Sequence, residues 1–369
     1  MRRGAGRDSF EHGRWYAQAL TGNWRREPPP WTLSADALAQ LIPLLRWNGE
    51  GGLAWWRAHH AVARANSAVR QLCQDYRLQT LWAIKQEERI QQVFRLLRGA
   101  GVEPILIKGW ANARLYAEPG LRTYGDIDLC VRPEQLPQAQ ATLTAAAGRF
   151  GPVDLHRGTP DLPDRTWEQV HRHSRLMSLG REDVRILGAE DHLRLVCLHL
   201  VRHGAWRPLW LCDVAAALEA RPMDFDWDYC LSGKRRLTRW VIAVLGLACR
   251  LLDARLDNPS LEARVHELPS WLVDTVLWRW ATGRCRQPFR YYLGHPWEAL
   301  QGMYYDGLNP IKAAFRLGVQ PRNVLLLSLV QLVAFLAGRI RPLFELHRRL
   351  TGTRPAAGAG FVFHHEGTF

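Results

Sequence analysis

The sequence has no CxxC pair; its seven cysteines, Cys73, Cys130, Cys197, Cys212, Cys230, Cys249 and Cys285, stand singly. An odd set of scattered thiols with apolar neighbours argues against a disulfide framework and against a cysteine zinc site. It favours a reducing compartment. The start, MRRGAGRDSF, is basic but lacks the apolar run of a secretory leader. No apolar run reaches the roughly 20 residues that a spanning helix needs. The longest, NVLLLSLVQLVAFLAG over Asn323–Gly338, contains Ser328 and Gln331. It reads as a buried helix or, because Arg339, Arg341, Arg348 and Arg349 follow, as a helix lying on a membrane surface. A cytoplasmic location is the expectation. No fixed-period repeat and no nucleic-acid motif is present. Acidic residues are the minority among the charges: 35 Asp and Glu face 49 Lys and Arg, a net charge of +14. That excess favours anionic partners (nucleotides, nucleic acid, an acidic peptide, an anionic membrane) without choosing among them.

What is there divides the chain by pattern. Residues 1–33, Gly- and Arg-rich and closing on EPPPW, read as a loose arm. Ser34 is placed to cap a helix carrying Leu38, Leu41, Ile42 and Leu45 at helical spacing. A long helical region runs from about Leu53 to Leu97 and ends at Gly99 and Gly101. Over 101–188 the pattern alternates: strand VEPILIKG, short helix WANARLYAEPG, strand DIDLCV, helix PEQLPQAQATLTAAAG, strand PVDLH, then strand candidates SRLMSLG and DVRILG. This alternation predicts an α/β unit. Residues 189–300 read as a helical domain, and 301–369 as a basic helical region with a tail.

TYGDIDLCV, Thr123–Val131, carries the chemistry. Strand residues two apart share a face, so Asp126 and Asp128 are expected side by side. Two like charges there repel and disfavour a strand unless a cation offsets them. Mg²⁺, a hard ion that takes oxygen ligands, is the natural partner, with Mn²⁺ as the alternative. A two-metal phosphoryl-transfer site needs ions roughly 3.5–4 Å apart, bridged by carboxylate. VDLH supplies a third acid, Asp154, with His156 on its face as a candidate acid, base or metal neighbour. Upstream, Lys108–Gly109 closes a strand before a helix, a setting that suits phosphate, and Arg122 lies four residues before Asp126.

Strand–Gly–helix, then Asp-x-Asp on a strand, then Asp on a third strand, resembles the DNA polymerase β-like nucleotidyltransferase superfamily. More closely, LIKGWANARLY…R…GDIDLCV…VDLH…EDHLRLVCLHLVRHG…LWLCDVA, about residues 85–220, resembles the uncharacterised bacterial nucleotidyltransferase family with a KG…R…DIDL signature. The resemblance implies a small mixed sheet, an α/β (α+β) core, flanked by N- and C-terminal helical regions. It implies a transferase that moves an NMP from an NTP, such as ATP, to an acceptor and releases pyrophosphate. Asp126, Asp128 and Asp154 would hold the metals, with Asp154 also helping to deprotonate the acceptor. Lys108, Gly109 and Arg122 would hold the triphosphate, and the helix bearing His199 would wall the nucleotide or acceptor pocket, with His199 a candidate substrate contact. Some family members are encoded beside peptide-natural-product or exopolysaccharide genes, which implies a small-molecule or peptide acceptor. One departure is Trp110, where the wider superfamily has Gly or Ser after the turn glycine.

Each residue also has a plainer reading. Asp126 and Asp128 fit a solvent-facing strand edge, Asp154 a loop acid, Lys108 a surface lysine, and Arg122 the partner of a nearby acid. His156 fits a hydrogen-bonded structural histidine. His199 and His203 lie one turn apart and fit core hydrogen bonding; Leu200 stands where a zincin needs Glu. Asp213 fits an anchor between helices. Taken together these give the alternative of a catalytically degenerate binding protein for an acidic peptide, nucleic acid or a membrane surface. A metal-dependent phosphoesterase, which needs more histidines among the acids, fits less well.

Overall fold

A computed structural model of the chain describes residues 4–59, 61–62, 66–146, 148–282, 309–317 and 333. Four helices come first: α1 (Gly4–Leu20), α2 (Ala35–Trp47), α3 (Gly51–Ala58) and α4 (Ser67–Gly99). The Ser34 side chain accepts from the Ala37 N–H and opens α2, which buries Leu38, Leu41, Ile42 and Leu45. Two expectations are corrected here. The loose arm is in large part the helix α1, with Tyr16, Ala19 and Leu20 fully buried. Its glycine content misleads: a Cβ on Gly13 would lie 2.3 Å from the Leu277 carbonyl oxygen, so Gly13 permits close helix packing. The single long region from Leu53 is two helices, because Asn66 caps a fresh start, its side chain accepting from the Ala68 N–H at 2.9 Å.

The sheet follows with β1 (Ile105–Leu106), α5 (Trp110–Ala113), β2 (Ile127–Val131), α6 (Leu136–Ala145), β3 (Val153–Arg157), α7 (Trp167–His173), β4 (Arg175–Leu179) and β5 (Glu182–Ile186). Its order is β3-β2-β1-β5-β4. β2 and β3 are parallel, joined across α6; β1 is antiparallel to β2 and parallel to β5; β4 and β5 form an antiparallel hairpin. This is the small mixed sheet that the family resemblance implies, built on the α/β unit that the strand–helix pattern predicts. One face, with Leu106, Leu129, Val131 and Ile186, packs on Ile90, Val93, Phe94 and Leu97 of α4. The alternating residues Ile105, Ile107 and Cys130 join the larger, helical core. Asp128 shares the face of Cys130 by strand period.

That larger core is built from α8 (Ala189–Arg202), α9 (Pro208–Glu219), α10 (Trp227–Leu231), α11 (Arg235–Leu252), α12 (Pro259–His266), α13 (Ser270–Thr282) and α14 (Pro310–Leu317), with the N-terminal helices. α8 packs against α9 and α11, and α1 against α13. Asn309 joins α14 to α8: its amide donates to the Gly204 carbonyl at 3.0 Å and its carbonyl caps the Ile311 N–H. Among the described residues no helix is long and apolar enough to cross a membrane, and the cysteines are free thiols. The apolar segment Asn323–Gly338 (Val333 apart), the arginines after it, Cys285 and the tail lie outside the described residues.

Candidate active site

β2 begins at Ile127, so Asp126 occupies an exposed bend just before the strand rather than a strand position. The cause lies in the preceding backbone. The carbonyls of Thr123, Tyr124 and Gly125 accept from side chains, where a strand would have them accept from a neighbouring ladder. Arg122 Nη1 donates to Thr123 O at 2.7 Å, Trp82 Nε1 to Tyr124 O at 2.7 Å, and Gln86 Nε2 to Gly125 O. Gly109, with φ of +64°, packs against the same loop; a Cβ there would lie 3.4 Å from the Asp126 carbonyl oxygen. Partial desolvation, and after it the charge of Asp128, raise the Asp126 carboxyl pKa.

The register of β2 on β3 pairs Asp128 with Asp154 and Cys130 with His156. Those residues face one side of the sheet, and one ligand atom each from Asp128, Asp154 and His156 lies within 4.8 Å of the others. His156 Nε2 is 3.5 Å from Asp128 Oδ1 and 3.4 Å from Asp154 Oδ2. That nitrogen is buried and makes no aligned hydrogen bond. Two carboxylates beside a buried imidazole nitrogen form a donor set that fits a divalent metal ion. Asp128 is the buried member and Asp154 the open one, its side chain 55% exposed. Burial works against the Asp128 charge, but Lys108 and His156 outweigh it and hold the carboxyl below its usual range. For His156, burial opposes protonation, while Asp128 and Asp154 overcome it and raise the imidazole pKa.

Lys108 does not point free into a phosphate pocket. Its ammonium lies 2.9 Å from Asp128 Oδ1 and 3.8 Å from Asp161 Oδ2. Burial would lower its pKa; the two carboxylates reverse this and hold it firmly protonated. Asp161 carried no pattern signal: it sits in the loop GTPDLPD, and its partners are Lys108, just after β1, and two residues of α8. Buried itself, it pairs with Arg202 and stands 3.9 Å from His199 Nδ1. Burial opposes its ionisation, yet His199, Lys108 and Arg202 drive its pKa far below the carboxylate range. His199 therefore stands behind Asp161 rather than in the cluster of Asp128, Asp154 and His156. Its ring lies 4.4 Å from His203 and 4.9 Å, edge-on, from Trp210. Burial, and then the Lys108 charge, lower the His199 pKa.

Arg122 is committed elsewhere. Its Nε and Nη2 donate to Asp213 at 3.0 and 2.6 Å, and the same carboxylate accepts from Asn112 Nδ2 and Tyr116 OH, each at 2.9 Å. Burial works against the guanidinium charge, and Asp213 more than restores it. Asn112 Oδ1 in turn meets His192 Nε2 at 2.7 Å. Arg122 thus ties the Asp126 loop to α9. Trp110 is accommodated by turning its ring into the sheet core, with Nε1 donating to Glu87 of α4 at 3.0 Å.

No curated protein and no solved structure matches the chain. A family model described as an uncharacterised nucleotidyltransferase matches residues 38–150 and 152–253. The match spans α2 to the end of α11, with the carboxylate-bearing strands at its centre, and covers more than half of the 369 residues: the chain belongs to this nucleotidyltransferase family.

Proposed function

We propose that the protein is a divalent-metal-dependent nucleotidyltransferase that moves an NMP unit from an NTP to a small-molecule or peptide acceptor and releases pyrophosphate. The observation that carries this is the β2–β3 register, which sets Asp128, Asp154 and the unpartnered His156 nitrogen around one point in a chain of that family. Asp128, Asp154 and His156 would hold Mg²⁺ or Mn²⁺, with Asp126 the next acid to hand. An ion bound there supplies positive charge for the triphosphate and lowers the pKa of a nearby acceptor group.

The rest falls to the chain. The acceptor oxygen or nitrogen attacks the α-phosphorus; the bond to the bridging oxygen of the leaving pyrophosphate breaks in line. Asp154, the open carboxylate, is placed to take the acceptor proton. Lys108 keeps a fixed positive charge beside Asp128, and Gly109 lets the backbone pass close to the Asp126 loop. Arg122 serves through position: by gripping Asp213 it holds that loop. Most of the rate is then asked of geometry and charge.

The test is pyrophosphate release from each NTP with candidate acceptors in Mg²⁺ or Mn²⁺. Asp126→Ala with Asp128→Ala is expected to abolish release; release that persists in the double variant refutes the assignment. A degenerate binding protein is the second reading, favoured by the direct Lys108–Asp128 ion pair. A calorimetric titration in which neither metal nor NTP binds would select it.

A further inference from the structure

Ile107 donates its N–H to the Asp128 carbonyl at 3.1 Å, which brings the end of β1 against β2 and sets Lys108 over Asp128. The ammonium then bridges two carboxylates from different parts of the chain, Asp128 on β2 and Asp161 on the loop after β3. Its side chain is only 17% exposed. Asp128 Oδ1 is the shared atom: it faces the Lys108 ammonium at 2.9 Å and His156 Nε2 at 3.5 Å. A Mg²⁺-class ion binds oxygen at roughly 2.0–2.1 Å. One placed between Asp128 and Asp161 would overlap the ammonium, whereas one among Asp128, Asp154 and His156 would not require Lys108 to leave.

We propose that the Lys108 ammonium, held by Asp161, fills one of two cation positions in this site, so that the nucleotide-free chain takes up a single divalent ion on Asp128, Asp154 and His156. The inference rests on the metal-dependent reading above and departs from a two-ion site. It gives Asp161 a role as the residue that positions Lys108.

The experiment counts Mn²⁺ bound per full-length chain without nucleotide, from the loss of the free-ion EPR signal. Wild type is expected to saturate at one ion. Lys108→Met is expected to reach two, and Lys108→Gln, which keeps a polar head on a similar stem, serves as the second variant with the same expected count. Asp154→Asn, at an exposed position, is expected to weaken uptake by roughly tenfold or more. Two ions in wild type overturn the proposal. So does one ion in either folded Lys108 variant, or undiminished uptake in Asp154→Asn. The outcomes separate from those for function: two ions with Asp126- and Asp128-dependent pyrophosphate release would sink only this inference, and one ion without any release would sink only the function.

Discussion

Glu50, which immediately precedes α3, is fully buried, and its burial ties stability to pH. Tyr16 OH of α1 donates to one carboxylate oxygen, and the Leu209 N–H of α9 donates to the other at 2.8 Å. Asn48 Nδ2 donates to the same tyrosine hydroxyl at 2.8 Å. Burial raises the carboxyl from 4.5 to about 7, against the pull of Tyr16 and the Arg207 charge. The sign follows from the protons. Between pH 4.5 and 7 the folded chain holds this proton and the unfolded chain has lost it, so stability falls as pH rises, with the full loss present above pH 7. The magnitude is about 3 kcal/mol at 1.36 kcal/mol per pH unit of difference. Glu50→Gln keeps a hydrogen-bonding head and removes the charge. Urea unfolding of both proteins at pH 5 and pH 8 is the assay. The wild type is expected to lose about 2.5 kcal/mol more than the variant across that interval, part of the total already being lost at pH 5. Parallel pH dependence in the two proteins would refute the argument.

Asp213→Ala would leave the Arg122 guanidinium buried without its counter-charge. Removing one partner of such a pair costs on the order of 3–5 kcal/mol, to be read by chemical denaturation; a loss below about 1 kcal/mol would show that water reaches Arg122. Gly109→Ala places a side chain at φ +64° beside the Asp126 carbonyl. With ψ of −111° this is outside the left-handed helical region, and the substitution is expected to cost about 1–3 kcal/mol of stability, read by chemical denaturation.

The strands were legible because each shows its period in a few residues. DIDLCV and PVDLH interleave acids with apolar residues, and strand alternation alone sets Asp128 on the face of Cys130 and Asp154 on that of His156. Their register, and hence the meeting with His156, needed the parallel pairing across α6. Other features depend on partners far along the chain. Arg122 meets Asp213 across 91 residues, and Asp161 draws on Lys108, His199 and Arg202; no local pattern signals either. Asp126 left the strand because Trp82 and Gln86 of α4 take the carbonyls that a ladder would use. The helix α1 was hidden by its composition: glycine and arginine suggested slack chain, while Tyr16, Ala19 and Leu20 lined up on one buried side.

The grip on the Asp126 loop comes from outside the strand–helix core. Two of the donors belong to α4, before residue 101, and the carboxylate that anchors Arg122 belongs to α9, after residue 188. A fragment trimmed to 101–188 would keep every acid of the site yet lose what aims the first of them. In this family member the candidate site is not portable: its helical surroundings are part of the instrument, and a transplant of the sheet alone would carry the acids without their alignment.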